Sequence, residues 1–288
     1  MISPKRCSLA ATLVALSWAV GPAATAAQPG AAPVPTIEAL QGTLVRWSVP
    51  GTTRCAMGGR SWAALQETCY YPIDALHAPG LVRVSRQGVG PARFANISVA
   101  VAAHAPENIE LGDIPQANPS PADLRRNTRD QAVIAKIWAR REGPARFTLP
   151  LGTPMTPLPE AKGFGSQWVF NGKAEASELH SGVDYAVRSG TPVVALADGT
   201  VVVAEDLFFT GNAVFLDHGN GLVGMYFHLS EIKVQAGQDV KKGETLGLVG
   251  STGRVSGPHL HLGIRWHDAR IDPQPLLEDP AKIPAFAQ

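Results

Sequence analysis

The sequence predicts two β-rich regions joined by a single helix, the second an antiparallel all-β domain. Three observations lead there. Short apolar runs, several of them alternating, are cut by glycine, proline or Asp-Gly turns in both halves. One segment after residue 120 has apolar residues at helical spacing behind a capping sequence. Past Gly143 the composition changes to glycine-punctuated strands of four to six residues, leaving no stretch for a long helix.

Taken in order, residues 1–26 read as a signal peptide. Lys5 and Arg6 precede an apolar run from Leu9 to Val20, and Ala24-Thr25-Ala26 supplies a small-residue cleavage site. The run is short for a bilayer span, so an uncleaved anchor is the weaker reading. Cys7 lies ahead of the apolar run and leaves with it. No later segment is long and apolar enough to cross a membrane. Cleavage takes the basic count from 25 to 23 against 24 acidic residues, and a near-neutral chain offers no electrostatic case for nucleic acid. Two cysteines then remain, Cys55 and Cys69, and an even pair in an exported protein suggests a disulfide. The expected location is the periplasm, with an extracellular one as the alternative.

A Pro/Ala-rich tether over 27–36 leads into an N-terminal β domain, 37–115. Its strand signals are Leu44–Trp47, Leu81–Val84 and Ile97–Val101, a pattern that fits a small β-sandwich. His77 and His104 fall there as lone histidines, for which surface or hydrogen-bonded structural roles are expected. The connector, 116–142, contains the helix: Ser120 can cap it, Pro121 suits its first position, and Asp123 complements the dipole. Val133, Ile134, Ile137 and Trp138 make one apolar stripe that must be buried, so the flanking domains are expected to dock. The C-terminal β domain spans 143–280, followed by a tail, 281–288.

Three clusters in this last domain carry chemistry. They are His180-Ser181-Gly182-Val183-Asp184, His228 at the end of an apolar strand, and Gly257-Pro258-His259-Leu260-His261-Leu262-Gly263. Zinc accepts imidazole and carboxylate ligands, and a hydrolytic site needs three of them with a fourth position for water. His180, Asp184 and one histidine of the last cluster meet that count. His259 and His261 are two apart on a strand and project from one face, so one can bind metal while its neighbour reaches the water.

In this order the motifs resemble the lysostaphin/LytM-type zinc endopeptidases. Phe164-Gly165, the His180–Asp184 cluster, Ala197-Asp198-Gly199, Tyr226-Phe227-His228, Gly250-Ser251-Thr252-Gly253, Gly257–His261 and Asp272-Pro273 carry the likeness, from about Phe164 to Pro273. The resemblance implies one zinc ion per chain, held by His180, Asp184 and His261. It makes His259 the base that activates water and His228 the group that steadies developing negative charge, with parts of these roles open to exchange between the two. The implied function is hydrolysis of peptide cross-links in bacterial peptidoglycan. One departure concerns the groove: Gln167-Trp168 stand where many members have an arginine.

Two rivals are weighed against this. Some relatives of the family have lost metal ligands and instead activate cell-wall amidases, whereas all five polar groups are present here. A biotinyl- or lipoyl-type carrier would need a lysine on a tight hairpin, which the sequence lacks.

Overall fold

In the computed structural model, residues 34–139 and 143–287 are described, and the expected signal peptide with most of the expected tether lies outside them. The N-terminal strands are β1 (Thr36–Leu40), β2 (Leu44–Ser48), β3 (Arg54–Met57), β4 (Arg60–Ala63), β5 (Thr68–Pro72), β6 (Gly80–Gln87), β7 (Arg93–Ala100) and β8 (Pro106–Ile109). A five-stranded sheet, β1-β7-β6-β3-β4, faces the two-stranded ladder β2-β5. Alternation along β7 buries Ala95, Ile97 and Val99 against Val45, Trp47, Tyr71 and Ile73. Cys55 on β3 and Cys69 on β5 are disulfide-bonded, with Cα atoms 5.4 Å apart, and join the two layers through that core.

The helix α1 (Pro121–Trp138) starts where the cap predicts. Ser120 accepts from the Asp123 backbone N–H, and the Asp123 carboxylate accepts from that of Ser120. Its stripe is buried: Ile137 packs among Val203, Leu207, Ala213 and Phe215, with Val133, Ile134 and Trp138 beside it.

The C-terminal strands are β9 (Ala161–Lys162), β10 (Gln167–Phe170), β11 (Lys173–Leu179), β12 (Gly182–Tyr185), β13 (Pro192–Val194), β14 (Gly199–Leu207), β15 (Gly211–Asp217), β16 (Leu222–Ile232), β17 (Asp239–Val240), β18 (Thr245–Val249), β19 (Leu260–Trp266) and β20 (Ala269–Ile271), with one short helix, α2 (Gln274–Leu277). The main sheet runs β17-β14-β15-β16-β19-β12-β9, and all its pairings are antiparallel. One face buries Val183, Tyr185, Val214, Leu216, Tyr226, Leu260 and Leu262 in the larger core. On the opposite face, β16 presents Val223, Met225 and Phe227. The helix packs on that second face.

The two regions share their interiors. Leu44, Leu65 and Tyr70 belong to the larger core, and the Tyr70 ring stacks on Trp266 at 5.2 Å. Phe286 belongs to the smaller one, against Trp47 at 5.0 Å. Arg46 holds the 281–288 segment by donating to Pro284 and accepting from Phe286. Asp74 accepts two side-chain hydrogen bonds from Arg270 of β20, at 2.6 and 2.9 Å. β8 leaves the first region altogether and pairs in parallel with β10.

Candidate metal centre

Register sets the site. Phe227 opposes His261, and His261 in turn opposes Asp184, so three strands place these side chains in one row on one face. His180 and Gly182 share the parity of Asp184, while Val183 and Tyr185 turn into the core. Gly182 has an ordinary φ, but a Cβ there would stand 2.5 Å from His261 Nε2 and 2.6 Å from Leu262 O. The glycine gives the ligand ring its room.

Strict alternation would send Phe227 and His228 to opposite faces. The β15–β16 ladder shifts register between Tyr226 and Leu229, and His228 has a φ of +65°. This bulge turns His228 toward the site as well, a use of irregular strand geometry common beside active sites.

His180 Nε2, His261 Nδ1 and Asp184 Oδ1 form a triangle with edges of 2.8, 2.9 and 3.1 Å. Tetrahedral zinc with N and O ligands near 2.0–2.1 Å spaces them by about 3.3 Å, so the donor types and spacing fit that ion after a small expansion. Both imidazoles are buried, and Asp184 is the group open to the cleft. Burial opposes ionisation of Asp184, but hydrogen bonds from His180 and His261 outweigh it and hold the carboxyl far below its usual range. For His261, burial lowers the pKa despite the Asp184 hydrogen bond and favours the neutral ring that metal binding would require. Trp168 lies over His180 with ring centres 4.6 Å apart, and Phe227 stacks nearly parallel on His261 at 5.2 Å.

The other two histidines flank the triangle, 4.9 Å apart between ring centres. His259 Nδ1 lies 2.9 Å from Gly257 O, and His228 Nδ1 2.9 Å from Thr252 O. A carbonyl only accepts, so each ring carries its proton on Nδ1 and presents Nε2 as an acceptor. His259 Nε2 reaches to 3.7 Å from Asp184 Oδ1. Burial, then the neighbouring charges of His259 and His261, keep His228 neutral to well below its ordinary pKa. His228 therefore gains a donor toward negative charge only after Nε2 takes up a proton.

Asp184, His228, His259 and His261 thus line one cleft of about 310 Å³, and the fully buried His180 joins them through His261 and Asp184. His218 is elsewhere, buried with Nδ1 donating to Asp198 O, and burial pushes it down to about 4. His267 stacks on Trp62 at 4.2 Å, His77 bonds Ala78 O, and His104 lies edge-on to Phe164. Sequence reasoning missed Glu107 of β8, Lys162, Trp168 and Arg254 among the cleft residues. Only Trp168 had a signal, because it sits where the motif departs from the family pattern.

Residues 178–273 match Peptidase family M23. Peptidoglycan DD-endopeptidase ShyA of Vibrio cholerae is 49% identical over 82 residues, covering 28% of this chain and 19% of that protein. DD-carboxypeptidase/endopeptidase Mpg of Neisseria meningitidis is 48% identical over 98 residues, covering 34% and 21%. The chain therefore spans about a fifth of the length of these curated relatives. A solved structure of a candidate peptidase M23 from Pseudomonas aeruginosa is similar over 83% of this chain and 94% of its own, with 28% identity and a TM-score of 0.62. That likeness reaches well beyond the matched segment and takes in N-terminal strands. The segment 178–273, which holds both clusters and the bulge histidine, is thus similar to peptidase family M23.

Proposed function

We propose that this protein is a zinc-dependent endopeptidase that hydrolyses peptide cross-links of bacterial peptidoglycan. The observation that carries this reading is the convergence of His180 Nε2, Asp184 Oδ1 and His261 Nδ1, with the Nε2 atoms of two further imidazoles beside them. The names of the similar proteins supply the substrate class.

His180, Asp184 and His261 hold the zinc, one ion per chain. Bound there, zinc supplies Lewis acidity that makes water acidic near neutral pH and polarises a carbonyl. His259 takes the proton of the attacking water on Nε2 and returns it to the leaving nitrogen, with Gly257 O fixing its tautomer. His228, held neutral with Nδ1–H on Thr252 O, presents Nε2 beside His259 as a second acceptor that can orient the attacking water. Trp168 and Phe227 shield the ligand rings from water, which strengthens every electrostatic contact beneath them.

Export to the periplasm belongs to the same reading, since the Cys55–Cys69 disulfide suits an oxidising compartment. A regulator that had lost catalysis would not need all five groups kept together. Purified protein incubated with defined muropeptides should release cross-link products, and a chelator should stop it. His261→Ala should lose zinc and turnover together; stoichiometric zinc in that variant would overturn the ligand assignment.

A further inference from the structure

With Nε2 given to a metal, the neutral ring of His180 keeps its one proton on Nδ1. That nitrogen is buried and has no hydrogen-bond partner. The backbone of the residue is satisfied, since its N–H donates to Ser166 O and its carbonyl accepts from Gly165 N–H. A buried donor left without an acceptor costs about 1–3 kcal/mol. Metal-ligating histidines ordinarily give this second N–H to a carboxylate, a carbonyl or a water.

A carboxylate stands beside it. Gly163 has a φ of +90°, and the point its Cβ would take lies 2.5 Å from His180 Nδ1 and 3.5 Å from Glu107 Oε2. The glycine thus leaves one small gap shared by the orphaned nitrogen and the carboxylate. Register aims Glu107 there. It pairs with Trp168 in the parallel β8–β10 ladder, and residues side by side in a ladder leave the sheet on the same face. Trp168 is the ring that lies over His180, and Glu107 borders the same cleft. Among the described residues the Glu107 carboxylate makes no hydrogen bond or ion pair.

Two ordinary roles compete for this residue. A charge on β8, the edge of its three-stranded sheet, blunts that edge. Lys162, opposite Asp184 on β9 and in the same cleft, offers a counter-charge. Neither role gives the His180 proton a partner. We propose that Glu107 is a positioning residue of the metal centre, its carboxylate taking the Nδ1–H of His180 in the zinc-loaded site. This deepens the zinc reading above and rests on it. A strand of the N-terminal region thereby fixes the tautomer and ring angle of a ligand in the C-terminal one, which gives the crossing of β8 to β10 a use at the site.

The test measures zinc affinity of the intact protein by competition with a fluorescent chelator, apart from any turnover. Glu107→Ala should bind zinc about 10- to 100-fold more weakly than wild type, with the melting temperature of the metal-free protein unchanged. Glu107→Gln keeps an oxygen acceptor without the charge and should recover most of that loss. Lys162→Met should bind zinc no more weakly than wild type. Unchanged affinity in Glu107→Ala overturns the positioning role and leaves the zinc centre standing. If Glu107→Gln binds as weakly as Glu107→Ala, the effect is charge at a distance and the contact is refuted. Wild-type protein that binds no zinc overturns the centre itself, and this proposal with it.

Discussion

The two β regions bury their surface in different ways. The larger core is mostly aliphatic and is built on a long sheet whose other face carries the chemistry. The smaller core is thin, rich in aromatic residues and cross-linked between its layers. A small region cannot exclude enough water by burial alone, and a covalent tie compensates. The contrast ends at the boundary, because each core is completed by side chains from the other region. Every metal-ligand candidate sits in one region, yet the stability beneath it is shared by both.

The strongest way to break this comparison is to cut the chain. If the second half worked by itself, a fragment without the first would keep both zinc and activity. The buried positions of Leu44, Leu65 and Tyr70 argue otherwise. Losing three such side chains removes about 5–8 kcal/mol of burial, comparable to a whole domain's stability. A fragment beginning at Gly143 should lack a cooperative thermal transition and bind zinc poorly; a well-folded, active fragment would restore the picture of separable domains.

Next in size are changes confined to the site. His259→Ala and His228→Ala should each keep zinc and the melting temperature while lowering turnover by about 10²- to 10⁴-fold. Metal analysis beside kinetics distinguishes this from ligand loss, and a metal-free variant would make that histidine a ligand. Reducing the Cys55–Cys69 bond, which closes a 14-residue separation, should lower stability by about 3 kcal/mol without releasing zinc. Zinc release on reduction would mean the two regions are coupled more tightly than their contacts suggest.

The smallest effect concerns the clamp between them. Asp74 is partly buried, which opposes its charge, but its hydrogen bonds with Arg270 win and its pKa is lowered. Stability from such a group is present above its unfolded value of 3.8 and is lost as pH falls through the lower folded value. Asp74→Asn should therefore cost about 1–2 kcal/mol at neutral pH and little in strong acid, read as melting temperature against pH. An equal loss at both pH extremes would point to packing and away from charge.

What the sequence made legible follows from range. The helix was legible because Ser120, Pro121 and Asp123 act within one turn. The strands around Leu44, Leu81 and Ile97 were legible from alternation, and the grouping of His180, Asp184 and His261 from their lying inside recognisable clusters. The pairing of β8 with β10, the exchange of core residues and the placing of Lys162 opposite Asp184 depend on partners far along the chain. No local pattern encodes them. The bulge at His228 was equally hidden, since a register shift leaves no mark beyond one residue at positive φ.

The return of the chain at Phe286 has a consequence in time as well as in space. Trp47 meets its aromatic neighbour only after some 240 further residues have been made, and Arg46 waits as long for Pro284 and Phe286. The earlier-made strand β2 is thus completed only by a much later segment. Contacts of such long separation slow folding and leave the early strands exposed while the rest emerges. A growing chain of this protein is an open ledge of β-structure until the segment around Phe286 arrives to close it.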